Sequence, residues 1–521
     1  MKEMKKVLCL LLALVLVMSM ATTAFGASVD LTNHTYKAYQ IFSGEQAKDS
    51  AELGQIEWGE GINSAAFLTA IKADDTLKDV FQACSTAADV AKKLGEYSDG
   101  SDVALAFARV AYAHRNGDGT PVVNGQTALD AGYYLVVDVT TFDENATNTV
   151  YNLALLQLTN KGTFTIETKT DIPSVDKQVQ DEVGDAEAGA VEGWGETADH
   201  AINEEFQFKL TANLPKEINF AEYETYKTEF VDTMSTGITF VSIDSIKVDG
   251  VKVNLGDYDI AASENAVRGL EGPATWTITF PDLKVIEGVN LADGAEIEVI
   301  YTAFLNEEAY VNYQSGDTTN KNGVFLKYSN NPNTDGEGKT KEDFVWVFTY
   351  VVNNTKYSEK VDLANVLAGA GFRLYTDEEC TKEVSLIWDA ELGAYRPTKG
   401  GEAGQELVSR SEDALKGTFN VVGLDAGTYY LTETTVPAGY NKCEDIEIVI
   451  KATHIEGAEG VSATTTLTEE TKNINNGIVN EKGALLPETG GMGTTLFYAL
   501  GAILVIGAGV ILVTKRRMNE K

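Results

Sequence analysis

The chain has 521 residues and carries 78 acidic against 41 basic side chains, a formal net charge of -37. Such a surface repels phosphate backbones and anionic lipid headgroups, so neither nucleic acid nor an anionic membrane surface is an expected partner. Cysteines number 4, too few for disulfides to be the main framework of a chain this long.

Residues 1–26 have the order of a secretory leader. Lys2, Lys5 and Lys6 precede an apolar stretch from Val7 to Met18, and the small-residue exit "ATTAFGA" follows. Ala24 and Gly26 suit the positions flanking a cleavage site, so the mature chain is expected to start at Ala27.

Residues 27–170 mix periodicities. "INSAAFLTAIKADDTLKDVFQACSTAADVAKKLGEY" and "SDVALAFARVAYAHRNG" space apolar residues as helices do, whereas "AGYYLVVDVTTF" and "VYNLALLQLT" read as strands. An α+β N-terminal domain is expected. Over 171–340 the pattern becomes short alternating strands divided by Gly, Asn and Asp ("FQFKLTANLP", "GITFVSIDSIKVDG", "ATWTITFPDL", "AEIEVIYTAFL", "GVFLKYSNNPN"), which predicts a β-sandwich. A polar stretch, "NNPNTDGEGKTKED", leads into a second all-β region over 341–484, from "FVWVFTYVV" to "NNGIVNEKG". The fold class is thus mainly β: tandem immunoglobulin-like β-sandwich domains behind an α+β domain, closed by a transmembrane helix.

That helix lies in residues 485–521. Thr495 to Val513 carries no charge over 19 residues, about the length needed to cross roughly 30 Å of hydrocarbon. Lys515, Arg516 and Arg517 follow it and orient the C-terminus inward, leaving the body of the protein outside the cell. Directly before the span stands "LPETG", Leu486, Pro487, Glu488, Thr489 and Gly490.

An exported β-rich chain ending in LPETG, an apolar span and a basic tail resembles Gram-positive surface proteins with a cell-wall sorting signal. The resemblance implies that a sortase cleaves between Thr489 and Gly490, its cysteine holding Thr489 as a thioester until an amine resolves it. In an ordinary wall protein the amine belongs to a peptidoglycan precursor; in a pilin it is a lysine of the next subunit. "TIETKTDIPSVDKQVQD" resembles the segment of backbone pilins that carries the polymerising lysine, and Lys169 holds the matching position, although Glu167 and Thr168 stand where the family commonly has Tyr-Pro.

The resemblance also implies internal Lys–Asn isopeptide bonds. That chemistry needs a neutral amine, a carboxamide and a protonated carboxyl in a dry core, where burial lowers a lysine pKa and raises that of an acid. "VDKQV", "FVDTMSTGITF" and "LKYSNNPN" are similar to fimbrial domains of this type, which assigns Lys177, Asp232 and Asn330, with Asn322 and Asn331 as alternative electrophiles. "GTYYLTETTVPAGYN" resembles the collagen-adhesin B-type domain, in which Glu433 faces the core; Lys356 and Asn480 then complete the set, with Lys360 as second choice for the nucleophile. Each bond is expected to join the first and last strands of its domain. Cys380 and Cys443 are candidates for a disulfide, and Cys84 has no evident partner.

Other chemistry is thin. His34, His114, His200 and His454 lack metal-ligand spacing, no nucleophile elbow or paired-carboxylate constellation stands out, and "RNGDGTP" lacks the ligand series of a calcium loop, so it reads as a turn. No metal or cofactor is expected, and a protein that turns over substrate is not. The expected function is a structural backbone subunit of a covalently polymerised pilus, extracellular and wall-anchored or in the fibre; the alternative is a monomeric sortase-anchored adhesin. The implied partners are a sortase, identical subunits, peptidoglycan or minor pilins and a host surface ligand, with a membrane only before sorting.

Overall fold

The structure, a computed structural model, describes residues 34–46, 53–98, 101–123, 126–151, 153–158, 162–163, 172–181, 193–216, 220–266, 269–291, 294–311, 320–332, 334–456, 462–483 and 492–518. The leader, Lys169 and the motif Leu486–Gly490 lie outside the described residues.

The N-terminal unit is α+β. The strand Tyr36–Gln46 runs between Leu53–Trp58 and Gly132–Asp138, and Leu153–Leu158 completes that side of the sheet. Alternation along Tyr36–Gln46 aims Tyr39 and Ile41 at the helices and Tyr36 and Ala38 at the opposite face. Ser64–Ala73, Ala87–Leu94 and Asp102–Ala113 cover the first face, where Phe67, Val90 and Phe107 are fully buried. Thr86 starts the second of these helices with a reciprocal capping box to Asp89, which satisfies backbone donors that would otherwise be orphaned. The "RNGDGTP" segment is a turn, with Gly117 at φ 70° and Gly119 at φ 65°.

The middle unit is a sandwich of two sheets. One has the order Thr197–Asp199, Asp343–Phe348, Asn320–Ser329, Thr228–Met234, Ala274–Phe280; the other has Val251–Val253, Ile238–Val248, Glu296–Leu305, Glu205–Asn213, Ser174–Gln180. Glu205–Asn213 shows why: Phe206, Phe208, Leu210 and Ala212 point inward at every second position and polar residues alternate with them. The inner faces meet around Trp276, Tyr301 and Phe240, each no more than 1% exposed.

The third unit stacks the sheet Leu386–Asp389, Ala394–Pro397, Val421–Leu424, Tyr350–Ser358, Asn475–Asn480 on the sheet Leu407–Val408, Gly371–Tyr375, Gly427–Thr435, Ile446–Ile450. Its boundary differs from the expected 340/341. The apolar run "FVWVFTYVV" is divided between two domains: Asp343–Phe348 pairs with Asn320–Ser329 and Thr197–Asp199 in the middle sandwich, and the new domain begins at Tyr350.

The domains touch through named contacts. Tyr328 donates to the Thr149 carbonyl at 3.0 Å, and Arg109 to that of Ala221 at 3.1 Å, tying the N-terminal unit to the middle one. At the next junction the Ile202 amide donates to the Gly423 carbonyl at 3.0 Å. Gly423 has φ 77°, and a Cβ there would meet Ile202 at 2.4 Å, so only glycine fits this close approach. Asp199 bridges the same junction, 2.9 Å from both Tyr350 Oη and His454 Nε2. C-terminal to the domains, Met492–Met518 is one helix, and its apolar side chains from Phe497 to Val513 are exposed. Its stretch Phe497–Arg516 is long and apolar enough to span a bilayer.

Candidate functional site: two buried lysine, carboxyl and asparagine clusters

In the third domain the expected set assembles in full. Tyr350–Ser358 and Asn475–Asn480, the first and last strands, run parallel with Lys356 opposite Ile478 and Ser358 opposite Asn480. Lys356 Nζ lies 2.5 Å from Asn480 Oδ1. Glu433 comes from the facing sheet, where alternation with Tyr429 and Leu431 turns it into the core. Its Oε1 accepts from Asn480 Nδ2 at 2.7 Å and lies 3.4 Å from Lys356 Nζ, while its Oε2 accepts from the Cys443 amide at 2.9 Å. Lys356 and Asn480 are 0% exposed and Glu433 3%. Phe372 walls the amine, its ring centre 5.1 Å from Nζ. Lys360 is excluded as nucleophile by position, since its side chain is exposed and pairs with Asp362 at 3.2 Å.

The middle domain brings Lys177 and Asp232 together but not Asn330. Lys177 sits opposite Leu210 on one sheet and Asp232 opposite Trp276 on the other, so both point into the sandwich, and Nζ is hydrogen-bonded to Asp232 Oδ2. Tyr301 Oη accepts from Lys177 Nζ at 3.0 Å and donates to Asp232 Oδ2 at 3.1 Å. The asparagine at this cluster is Asn322, whose Nδ2 donates to Tyr301 Oη at 2.6 Å. Asn330 is eight residues further along, about 26 Å at strand rise, and its Nδ2 donates instead to Thr149 Oγ1 at 2.9 Å. Asn331 follows it, half-buried beyond the strand end. Nor are the clustered strands the outermost pair: Glu337–Lys339 and Asp343–Phe348 both follow the strand of Asn322, and the last of them contributes Asp343, whose Oδ2 accepts from the Lys177 amide at 2.6 Å.

Burial dominates the electrostatics of this cluster. It lowers the Lys177 pKa and raises that of Asp232, each opposed by the partner's charge, and it pushes the Tyr301 phenol well above its ordinary value. A dry core therefore favours the neutral amine and the protonated acid together. Tyr301 was not singled out in the sequence; a tyrosine inside "EVIYTAFL" gives no local sign that its hydroxyl meets three polar groups.

The candidate Cys380–Cys443 disulfide is not formed, and Cys84, Cys380 and Cys443 are free thiols. The reason is strand parity. Cys380 Sγ lies 3.5 Å from Thr432 Oγ1, whereas Cys443 lies by Glu433, and neighbouring residues of one strand face opposite sides of the sheet. Among the described residues, His200, Glu204 and Asp425 bring ligand-type atoms within 4.8 Å of one another at the junction of the middle and third domains. His200 Nε2 already lies 2.7 Å from the Gln180 carbonyl, and Glu204 Oε2 accepts from the Ala201 amide at 3.0 Å.

Two family models match the C-terminal third of the chain. Residues 354–463 match the family described as a prealbumin-like fold domain, and residues 478–520 match the LPXTG cell wall anchor motif. The trypsin-resistant surface T6 protein of Streptococcus pyogenes serotype M6 is 24% identical over 416 residues, covering 67% of this chain and 70% of that protein. Among solved structures, the three-domain T6 backbone pilin of the same organism aligns at 17% identity and TM-score 0.45, over 88% of this chain and 98% of its own. The full-length major pilin SpaD of Corynebacterium diphtheriae aligns at 16% identity and TM-score 0.42, over 87% and 93%. The chain is a mainly β surface protein with an LPXTG cell wall anchor motif, similar in sequence to the trypsin-resistant surface T6 protein.

Proposed function

We propose that this protein is the structural backbone subunit of a covalently polymerised pilus. A sortase cleaves between Thr489 and Gly490 and passes the Thr489 carboxyl to Lys169 of the next identical subunit; the last subunit passes to peptidoglycan or a minor pilin. The observation that carries the reading is the LPXTG anchor at residues 478–520, joined to sandwiches whose buried lysine, carboxyl and asparagine clusters suit cross-linking. Lys356 bonds Asn480 with Glu433 as proton carrier, and Lys177 bonds Asn322 with Asp232 in that role. In each case the amine attacks the carboxamide carbon, a secondary amide forms and ammonia leaves. In the third domain amine and carboxamide are held at contact distance beside the carboxyl, the arrangement that proximity and acid–base catalysis require. These groups react once within their own chain, so the role is structural.

Peptide mapping of wall digests tests the polymerisation step. A branched peptide joining Thr489 of one chain to Lys169 of another is the expected product. Recovery of Thr489 solely on peptidoglycan would replace the pilin reading with that of a monomeric wall-anchored adhesin.

A further inference from the structure

The two clusters differ in how the carboxyl meets the asparagine. In the third domain Glu433 Oε1 touches the leaving nitrogen directly, 2.7 Å from Asn480 Nδ2. In the middle domain the acid is an aspartate, one methylene shorter, and among the described residues no hydrogen bond joins Asp232 to Asn322. The Tyr301 hydroxyl fills the gap, 3.1 Å from Asp232 Oδ2 and 2.6 Å from Asn322 Nδ2. It reaches there from the sheet that also carries Lys177 and is wholly buried, so no bulk water competes for these positions.

Resting on the proposed Lys177–Asn322 bond, we infer that Tyr301 is a catalytic residue of that cross-link, relaying a proton from Asp232 to the departing nitrogen of Asn322. Lys177 gives one proton to Asp232 and its free amine attacks Asn322 Cγ, forming the C–N bond and placing the negative charge on Oδ1. The second amine proton is lost to the Asp232 side as Asp232 delivers its own to Tyr301 Oη, while the phenol proton passes to Nδ2. The C–Nδ2 bond then breaks and ammonia leaves. The Lys177 ammonium, the Asp232 carboxylate and the carboxamide become a secondary amide, ammonia and protonated Asp232, with no oxidant; Tyr301 ends as it began, and Asp232 keeps the first proton taken from Lys177. The third domain needs no such relay because the longer glutamate spans the distance itself.

The test follows branched peptides by mass spectrometry at successive times after a translation pulse, on the full chain in detergent. Wild type is expected to yield both the Lys177–Asn322 and the Lys356–Asn480 peptides. Tyr301→Phe is expected to slow the first by about 100-fold, the scale of lost acid–base catalysis, and leave the second unchanged. Asp232→Glu combined with Tyr301→Phe is expected to recover it, because the longer acid reaches Nδ2 as Glu433 does. If wild type itself lacks the Lys177–Asn322 peptide, the cross-link reading fails. If wild type forms it and Tyr301→Phe keeps pace, only the relay is overturned. A double variant as slow as the single one also overturns the relay, since slowing would then come from a disturbed core.

Discussion

Lys356 and Asn480 approach to 2.5 Å across the parallel first and last strands of the third domain, both shielded from water. They stand 124 residues apart in sequence, and Asn480 is only nine residues before Thr489. Tension entering at the sorting motif would therefore reach the bonded pair first and pass to the opening strand without unzipping the sheet. Tyr350, where that strand begins, adjoins the last strand of the middle sandwich, so the load path continues straight into the next domain.

Glu433→Ala removes the carboxyl that touches both members of this pair. The purified chain should then retain one ammonia, about 17 Da, and the third domain should unfold earlier. Closing a loop of this length is worth about 5 kcal/mol by unfolded-state entropy, which corresponds to roughly 20 °C for a domain of this size. Calorimetry and intact mass measure the two effects together.

The two asparagines of the middle domain separate cleanly. Asn322→Ala should abolish the Lys177 cross-link, whereas Asn330→Ala should leave it intact. The second substitution instead forfeits the hydrogen bond to Thr149, weakening the contact between N-terminal and middle domains by about 1 kcal/mol. Peptide mapping reads the first effect, and protease sensitivity near Thr149 the second.

Asp176 supplies a pH dependence. Burial, followed by the nearby Asp343 carboxylate, pushes its pKa up to about 6 in the folded chain. The folded state then binds more protons than the unfolded one between the ordinary aspartate value and about 6, so stability falls as pH rises through that window. Asp176→Asn should flatten this part of the curve, visible as a smaller difference between melting temperatures at pH 4.5 and 7.

The thiols are countable. In denaturant without reductant, the mature chain should take three labels, at Cys84, Cys380 and Cys443. A count of one would restore the disulfide. In the native state Cys84 should stay unlabelled, because it is buried against the helices.

What could be read before the structure depended on how local the signal is. Glu433 was legible because one strand supplies the alternation and the Pro-Ala-Gly-Tyr turn follows at once. Asn322 and Asn330 cannot be told apart by pattern, since both occupy even positions of the same run, which alternation alone assigns to one face. Only the cross-strand register, with Asn322 opposite Met234, selects between them. The middle boundary was missed for a related reason: "FVWVFTYVV" is continuously apolar, and the break at Thr349 has no turn residue to mark it. The cysteine pairing failed on strand parity across a gap of tens of residues, and Tyr301 on a contact between three strands, neither of which sequence spacing expresses.

The central claim, assembly into a covalent fibre through Lys169, is tested most directly by wall extracts from the native organism on a denaturing gel probed for this protein. A ladder of high-mass species in wild type, collapsing to a single band in Lys169→Ala while the protein stays wall-bound, is the predicted result. A single band in wild type, or a ladder that persists in Lys169→Ala, would contradict it.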